Sequence, residues 1–389
     1  MMKEKDKKAK SIKILTVIGA RPQIIKAAAF SRAIKEHFTG KIKEVILHTG
    51  QHYDNNMSEV FFKEMGIPSP DINLSIGSGS HGKQTAAMID GIENALIKEK
   101  PNCLVVYGDT NSTLAAAIAA SKIHVPLVHI EAGLRSFNKT MPEEINRIVC
   151  DHCSTLLFSP TKTGYNSLIR EGFNPKNKPP FTMNHPGIYH CGDVMFDNTL
   201  YFSKIADKKT SIIQDLGLKG KKFVLLTIHR NNNTDDPKRL NDILGTLNQI
   251  SIDNKLPFIF PAHPRTSKMM EQAGGLLKKI KANKLIQIIP PASFLEMLTL
   301  EKHCSMVITD SGGVQKEAFF LHKPCIVLRP ETEWVELVEC GNSILTDAHP
   351  KKIKDAFTHF EKKKGFKYPN VFGDGKAAEF ICKEILRNF

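Results

Sequence analysis

Residues 12–23 read Ile-Lys-Ile-Leu-Thr-Val-Ile-Gly-Ala-Arg-Pro-Gln. A short apolar run stops at Gly19, and Pro22 then stands where a helix can begin, because a first helical turn does not use the N–H that proline lacks. The stretch therefore reads as strand, tight turn and helix, the opening unit of a doubly wound α/β domain. Outward from it the alternation continues. Strands are expected at 44–47, 103–106, 126–130, 155–158 and 188–191, with helices at 58–65, 83–97 and 113–123. Apolar runs alternating with amphipathic helices make a parallel sheet covered on both faces.

Residues 172–187 hold prolines at 175, 179, 180 and 186 and little periodicity, so a loop precedes the last of these strands, and a domain boundary is expected near 192–205. The pattern then restarts, with strands at 223–227, 258–260, 285–289, 306–309 and 325–328. A length of 389 residues suits two domains. The expected organisation is a basic flexible tail at 1–11, Rossmann-like domains at 12–195 and 205–370, and a helix within 374–389. In that helix Ala378, Ile381, Cys382 and Ile385 form an apolar stripe, which is expected to cross back onto the first domain.

Composition narrows the function classes. Hydrophobic residues are 41% and charged residues 24% of the chain, ordinary values for a globular protein. The net charge of +14 is concentrated in Lys3–Lys10, Lys351–Lys354 and Lys362–Lys364, runs that read as solvated tails or helix faces and not as a nucleic-acid surface. Eight cysteines show no disulfide-like framework, and Cys103 and Cys325 lie in apolar runs as reduced core thiols. Cys150 and Cys153 have metal-ligand spacing, but no second pair follows, so no metal is expected. No apolar stretch approaches the roughly 18 residues of a membrane helix. The N-terminus lacks the features of a signal peptide, which makes the expected location cytoplasmic.

Ligands of open parallel sheets bind beyond the carboxyl ends of the strands, so the loops there carry the argument. In the first half these are Gly19-Ala20-Arg21-Pro22-Gln23, Gly108-Asp109-Thr110, His129 to Arg135, and Pro142 to Arg147. Arg21 precedes a helix N-terminus that favours anions, or forms a surface salt bridge. Carboxylates from separate loops can converge and work as acid or base, although Asp109 and Glu143 can equally serve as helix caps. In the second half His229 and His263 follow strands, and either can be structural. Thr309-Asp310-Ser311-Gly312-Gly313-Val314-Gln315-Lys316-Glu317 reads as strand end, small-residue turn and helix start, which suits a diphosphate. Glu317, one turn into that helix, is placed to accept hydrogen bonds from ribose hydroxyls. No Walker A sequence is present, and no G-x-G-x-x-G fingerprint follows the first strand, which argues against ATP hydrolysis and nicotinamide chemistry.

Nine segments in order resemble the non-hydrolysing UDP-N-acetylglucosamine 2-epimerases. They are GARPQIIK at 19–26, TGQHYD at 49–54, GDTNSTLAAA at 108–117, HIEAGLRS at 129–136, PEEINR at 142–147, TIHRNNN at 227–233, PAHPRT at 261–266, TDSGGVQKEA at 309–318 and RPETEW at 329–334. The resemblance implies an α/β GT-B fold of two Rossmann-like domains with a ligand cleft between them, a homodimer, and neither metal nor nicotinamide cofactor. It also implies the reaction. A carboxylate removes the C2 proton as UDP leaves C1, and UDP then adds back to the 2-acetamidoglucal with the proton delivered to the opposite face. Asp109, Glu131 and His229, with Glu143 beside them, are implied as the proton-transfer and positioning groups. Arg21, His263, Ser311, Gly312, Glu317 and Arg329 are implied as the UDP site, and Lys26 as added charge nearby.

Two motifs depart from the commonest pattern. Gln23 replaces a carboxylate in the first motif, and Asn231, Asn232 and Asn233 follow Arg230 where an acidic residue is usual. Together with TGQHYD and RPETEW these resemble the subgroup that epimerises UDP-2,3-diacetamido-2,3-dideoxyglucuronate, whose extra carboxylate would suit a less anionic site. UDP-N-acetylglucosamine remains the leading substrate, and a hydrolysing epimerase and a GT-B glycosyltransferase are the further rivals.

Overall fold

The computed structural model describes residues 11–50, 62, 65–272 and 275–389. The expected helix at 58–65, most of the TGQHYD motif and the basic tail 1–10 fall wholly or largely outside them.

Two compact units are present, one made of Met1–Asn198 with Asn370–Phe389 and the other of Thr199–Pro369. The helix Val194–Lys209 carries the chain from the first to the second.

The first unit holds a parallel sheet whose strands are β1 (Ile12–Ile18), β2 (Ile42–His48), β3 (Ile72–Asn73), β4 (Cys103–Tyr107), β5 (Leu127–Ile130), β6 (Leu156–Ser159) and β7 (Gly187–His190). Their spatial order is β3-β2-β1-β4-β5-β6-β7, with Ile14 opposite Cys103 across the β1–β4 pair. β1 and β4 are buried along almost their whole length, as strands covered on both faces must be. One covering helix, Asn111–Lys122, packs Ala115, Ala116, Ala119 and Ala120 against Val17, Leu104 and Val106. Its small side chains bring helix and sheet close together. Residues 370–389 belong to this unit, and the helix Ala377–Asn388 is capped by buried Asp197, whose Oδ2 accepts from the Ala378 amide at 2.8 Å.

The second unit is built on β8 (Val224–Thr227), β9 (Phe258–Pro261), β10 (Ile286–Ile289), β11 (Met306–Thr309), β12 (Cys325–Val327) and β13 (Ser343–Leu345), all parallel, in the order β10-β9-β8-β11-β12-β13. Leu226, Phe258, Phe260, Ile308 and Ile326 pack with Ile243 and Leu247 of the helix Pro237–Asn254 in one apolar core. β3 and β13, both very short, are not expected from their sequences; each lies at a sheet edge and has little apolar periodicity.

In both sheets the strand order reverses direction once, at β1/β4 and at β8/β11. The carboxyl ends at such a reversal are where open α/β sheets bind ligands, and the loops 19–20, 108–110, 228–230 and 310–311 all lie there.

Candidate active site

The chemistry-bearing loop of the first unit begins at Gly108, whose φ of 61° places it in the left-handed region. A Cβ on Gly108 would lie 2.9 Å from Lys26 Nζ and 3.0 Å from Glu131 Oε2, so only glycine leaves room for that ion pair. Lys26, from the helix Arg21–His37, and Glu131, just past β5, form a salt bridge with both side chains largely buried. Glu131 itself adopts a φ of 76°, held by amide bonds from Glu131 and Ala132 to the Phe158 carbonyl, each at 3.0 Å. A non-glycine residue with this backbone is uncommon and marks a place where the surroundings dictate conformation.

Asp109 is one residue further along. Its Oδ2 lies 2.5 Å from Arg147 Nη1, and its backbone carbonyl accepts from Asn146 Nδ2 at 2.9 Å. The cap of the helix Asn111–Lys122 is not Asp109 but Thr110, whose hydroxyl accepts from the Thr113 amide. The Asp109 side chain remains about one-third exposed. Asp109 and Glu131 are thus two carboxylates at the ends of adjacent strands, each facing its own cation.

The helix Pro142–Cys153 organises this cluster. Glu144, Arg147 and Asp151 recur at helical spacing and are all buried. Glu144 accepts from the Ser136 and Phe137 amides at 2.9 and 3.0 Å and pairs with Arg147 at 2.8 Å. Burial alone would raise the Glu144 carboxyl, but the Ser136 amide and the Arg147 guanidinium hold it below its ordinary range. Glu143, implied as a catalytic neighbour, lies exposed on the first turn of this helix.

Gln23 is buried, at 1% exposure. Its Oε1 accepts from the Gly19 and Ala20 amides at 2.9 and 3.2 Å, while Nε2 donates to the Tyr107 carbonyl and Thr113 hydroxyl at 3.0 Å each. It ties the loop after β1 to β4, and a carboxylate could not make the donor half of that set. Gln23 therefore acts inside the fold, which removes it from the balance of exposed charge near a ligand. Arg21 is exposed at the start of its helix.

In the second unit the centre is Asp310, just past β11 and fully buried. It accepts from the amides of His229 and Arg230 at 3.1 and 3.0 Å and from Asn233 Nδ2 at 3.2 Å, and the His229 ring Nδ1 lies 3.2 Å away. Burial would raise this carboxyl, yet the His229 ring and these amides hold it below the ordinary range. His229 is thereby fixed at its base while its side chain stays half exposed. Asn233 reaches inward, whereas Asn231 and Asn232 are exposed, so only those two bear on the charge seen by a ligand.

Ser311 caps the helix Gly312–Phe320, its hydroxyl accepting from the Val314 amide. Arg329 is buried and pairs with Glu333 at 3.0 Å, and a Cβ on Gly312 would lie 2.6 Å from Glu333 Oε1, so this carboxylate rests against the helix start. The 329–334 segment is pinned by the Thr332 hydroxyl donating to Gln315 Oε1 at 2.8 Å and by Lys316 Nζ, 3.9 Å above the Trp334 ring. His263 is exposed, and its Nδ1 accepts from the Arg265 amide at 3.3 Å. Ser311 and Glu317 are half-buried.

Among the described residues no group of three or more His, Cys, Asp or Glu could hold a metal ion. Cys150 is a core residue beneath β5, and Cys153 is partly buried beside it. No helix among the described residues is long and apolar enough to cross a membrane.

A family model described as UDP-N-acetylglucosamine 2-epimerase matches residues 33–386. The chain belongs to the UDP-N-acetylglucosamine 2-epimerase family. It is 46% identical over 376 residues to UDP-2,3-diacetamido-2,3-dideoxy-D-glucuronate 2-epimerase of Pseudomonas aeruginosa, covering 97% of this chain and all of that one. It is 44% identical to the UDP-N-acetylglucosamine 2-epimerase of Methanocaldococcus jannaschii, covering 96% of this chain and 98% of that one. A solved structure of the M. jannaschii enzyme in complex with UDP-GlcNAc and UDP superposes with a TM-score of 0.85 at 42% identity, covering 97% of this chain and 100% of the other. The fold is GT-B, with two Rossmann-like units.

For this epimerase-family chain, the residues that sequence reading passed over are those that support the named ones: Arg147, Glu144, Asp151, His129 and Asp310. Arg147 and Glu144 lie in the quoted PEEINR motif at i,i+3 spacing, and Asp151 follows four residues after Arg147, so a helical projection would have placed all three on one face. Nothing in the local sequence links Asp310 to His229, which is 81 residues away.

Proposed function

We propose that this protein is a non-hydrolysing UDP-N-acetylglucosamine 2-epimerase, interconverting UDP-N-acetylglucosamine and UDP-N-acetylmannosamine by elimination and readdition of UDP through a 2-acetamidoglucal. The observation that carries the reading is the arrangement of Asp109 with Arg147 and Glu131 with Lys26 at the ends of β4 and β5. Inversion at C2 needs a proton removed from one face and delivered to the other, and two separately placed carboxylates can do both. In this reading Asp109 and Glu131 carry the proton transfers. His229 positions or assists, with Glu143 beside these groups.

The C2 proton is weakly acidic, so stabilising the departing UDP contributes much of the rate. Arg21, His263, Arg329, the Ser311-Gly312 helix start and Glu317 form the nucleotide site in this reading, with the helix N-terminus and arginines facing the diphosphate and Glu317 the ribose. Lys26, given its bond to Glu131, acts on the carboxylate as well as adding charge for the substrate. The protein works as a homodimer in the cytoplasm, in polysaccharide precursor synthesis, on a UDP-sugar and without nucleic acid, membrane or cofactor.

A second reading, UDP-2,3-diacetamido-2,3-dideoxyglucuronate 2-epimerase, is favoured by the Pseudomonas relative and by uncharged Asn231 and Asn232. NMR of the enzyme with each UDP-sugar in D₂O decides between them. Deuterium at C2 with the UDP linkage intact identifies the substrate. Free sugar and UDP would mean a hydrolysing enzyme, and no exchange with either sugar would overturn the reading.

A further inference from the structure

His129, on β5, is buried at 0% exposure and is not among the groups assigned to proton transfer. Its Nδ1 lies 2.7 Å from Asp151 Oδ1 and its Nε2 lies 2.8 Å from the Gly108 carbonyl oxygen. A backbone carbonyl can only accept, so Nε2 carries a hydrogen. Asp151 is also fully buried, and its other oxygen takes the Gly133 amide at 3.1 Å and Arg135 Nη2 at 2.7 Å. The fixed positive charge of Arg135 and the Gly133 N–H keep this carboxylate ionised, so it likewise only accepts, and Nδ1 carries a hydrogen too.

We infer that His129 is a permanently protonated imidazolium which, through Asp151, is the positioning residue for both loops that carry the proposed acid–base carboxylates. The inference rests on the reading of Asp109 and Glu131 given above. Gly108 and Asp109 share one planar peptide unit, so a hydrogen bond to the Gly108 carbonyl sets the direction in which Asp109 leaves the strand. Asp151 holds the Gly133 amide, two residues beyond Glu131, so the same buried pair fixes the far side of the second loop. One charge pair thereby sets the separation of two carboxylates that must address opposite faces of one carbon. Misplacement by about 1 Å can cost on the order of a hundredfold in rate.

The charged surroundings agree. Asp151 faces the ring from the helix side, Arg135 pairs with Asp151 from the loop side, Glu171 closes on Arg135 with two bonds of 2.6 Å, and the Cys150 thiol lies beside the ring. Burial by itself would lower the imidazole, but Cys150 and Asp151 leave it well above its ordinary value, and burial would raise Asp151, yet His129 and Arg135 hold it below its own.

The protonation state is tested by nitrogen NMR of the whole protein labelled at histidine, with the His129 signals identified by their loss in His129→Gln. Two protonated ring nitrogens from pH 6 to 8 are expected, and one unprotonated nitrogen at pH 7 overturns the inference. The positioning role is tested in Asp151→Asn and His129→Gln. Turnover is expected to fall about tenfold or more while the calorimetric Kd for UDP stays within about twofold of wild type. Unchanged turnover, or turnover and UDP affinity falling in parallel, overturns it. If these variants fail to fold, Asp151→Glu, which keeps the charge but lengthens the arm that holds the His129 ring and the Gly133 amide, is expected to give the same split, and wild-type turnover in it overturns the positioning role. Absence of C2 exchange in the wild type would sink the epimerase reading, and with it the positioning role, whereas the nitrogen spectrum still decides the imidazolium by itself.

Discussion

Arg147 Nη1 stands 2.5 Å from Asp109 Oδ2, and its Nη2 stands 2.8 Å from Glu144 Oε2. One guanidinium therefore joins a part-exposed carboxylate, available to a ligand, to a buried one committed to the 136–137 loop. A planar, always charged donor fork suits that bridging task, and lysine could not reproduce it.

The first prediction follows for Asp109. Asp109→Asn retains size and a hydrogen-bond acceptor but cannot act as a base, so turnover is expected to fall at least about a hundredfold, with UDP affinity nearly unchanged. Steady-state kinetics and calorimetry check it. Wild-type turnover would remove Asp109 from the chemistry and move the base to Glu131 or Glu143, since capping of the next helix already belongs to Thr110.

Lys26 is expected to matter for rate more than for nucleotide affinity. Lys26→Met deprives the 9% exposed Glu131 side chain of this cation. Turnover should drop about tenfold or more, and Lys26→Arg should recover part of it. A loss confined to UDP affinity would instead make Lys26 a nucleotide contact alone.

Arg21 is expected to behave in the opposite way. Exposed at a helix start, it has the charge and placement for a diphosphate. Arg21→Ala should raise the calorimetric Kd for UDP about tenfold, on the order of one charge-assisted bond. An unchanged Kd would take Arg21 out of the nucleotide site.

A fourth prediction concerns acid stability. Asp310 has a folded-state pKa below its ordinary range, so its contribution is present above the unfolded value of roughly 4 and is lost as pH falls through the folded value. Asp310→Asn should cost about 2 kcal/mol near neutrality through the loss of the His229 and Arg230 amide bonds. The gap in Tm between wild type and variant should be widest at pH 6–7 and narrow below about pH 4. A gap that stays constant to pH 3 would mean that the charge of Asp310 contributes nothing.

The chain itself determined the alternation that builds two parallel sheets, because period and polarity are local properties: Ile12–Ile18 ending at Gly19 and Met306–Thr309 ending at Asp310 are legible without coordinates. It also placed Asp109, Glu131, His229 and Ser311 at strand ends, where open sheets present side chains to ligands. Tertiary structure alone decided their partners. Arg147 reaches Asp109 across 38 residues, Lys26 reaches Glu131 across 105, and His129 bonds Gly108 across 21, distances over which sequence carries no register. It decided equally that Gln23, which reads as a lost surface charge, is a buried four-bond tie, and that Glu144, not its exposed neighbour Glu143, faces inward. A helix rotates by about 100° per residue, so which of two adjacent glutamates is buried depends on what the helix packs against.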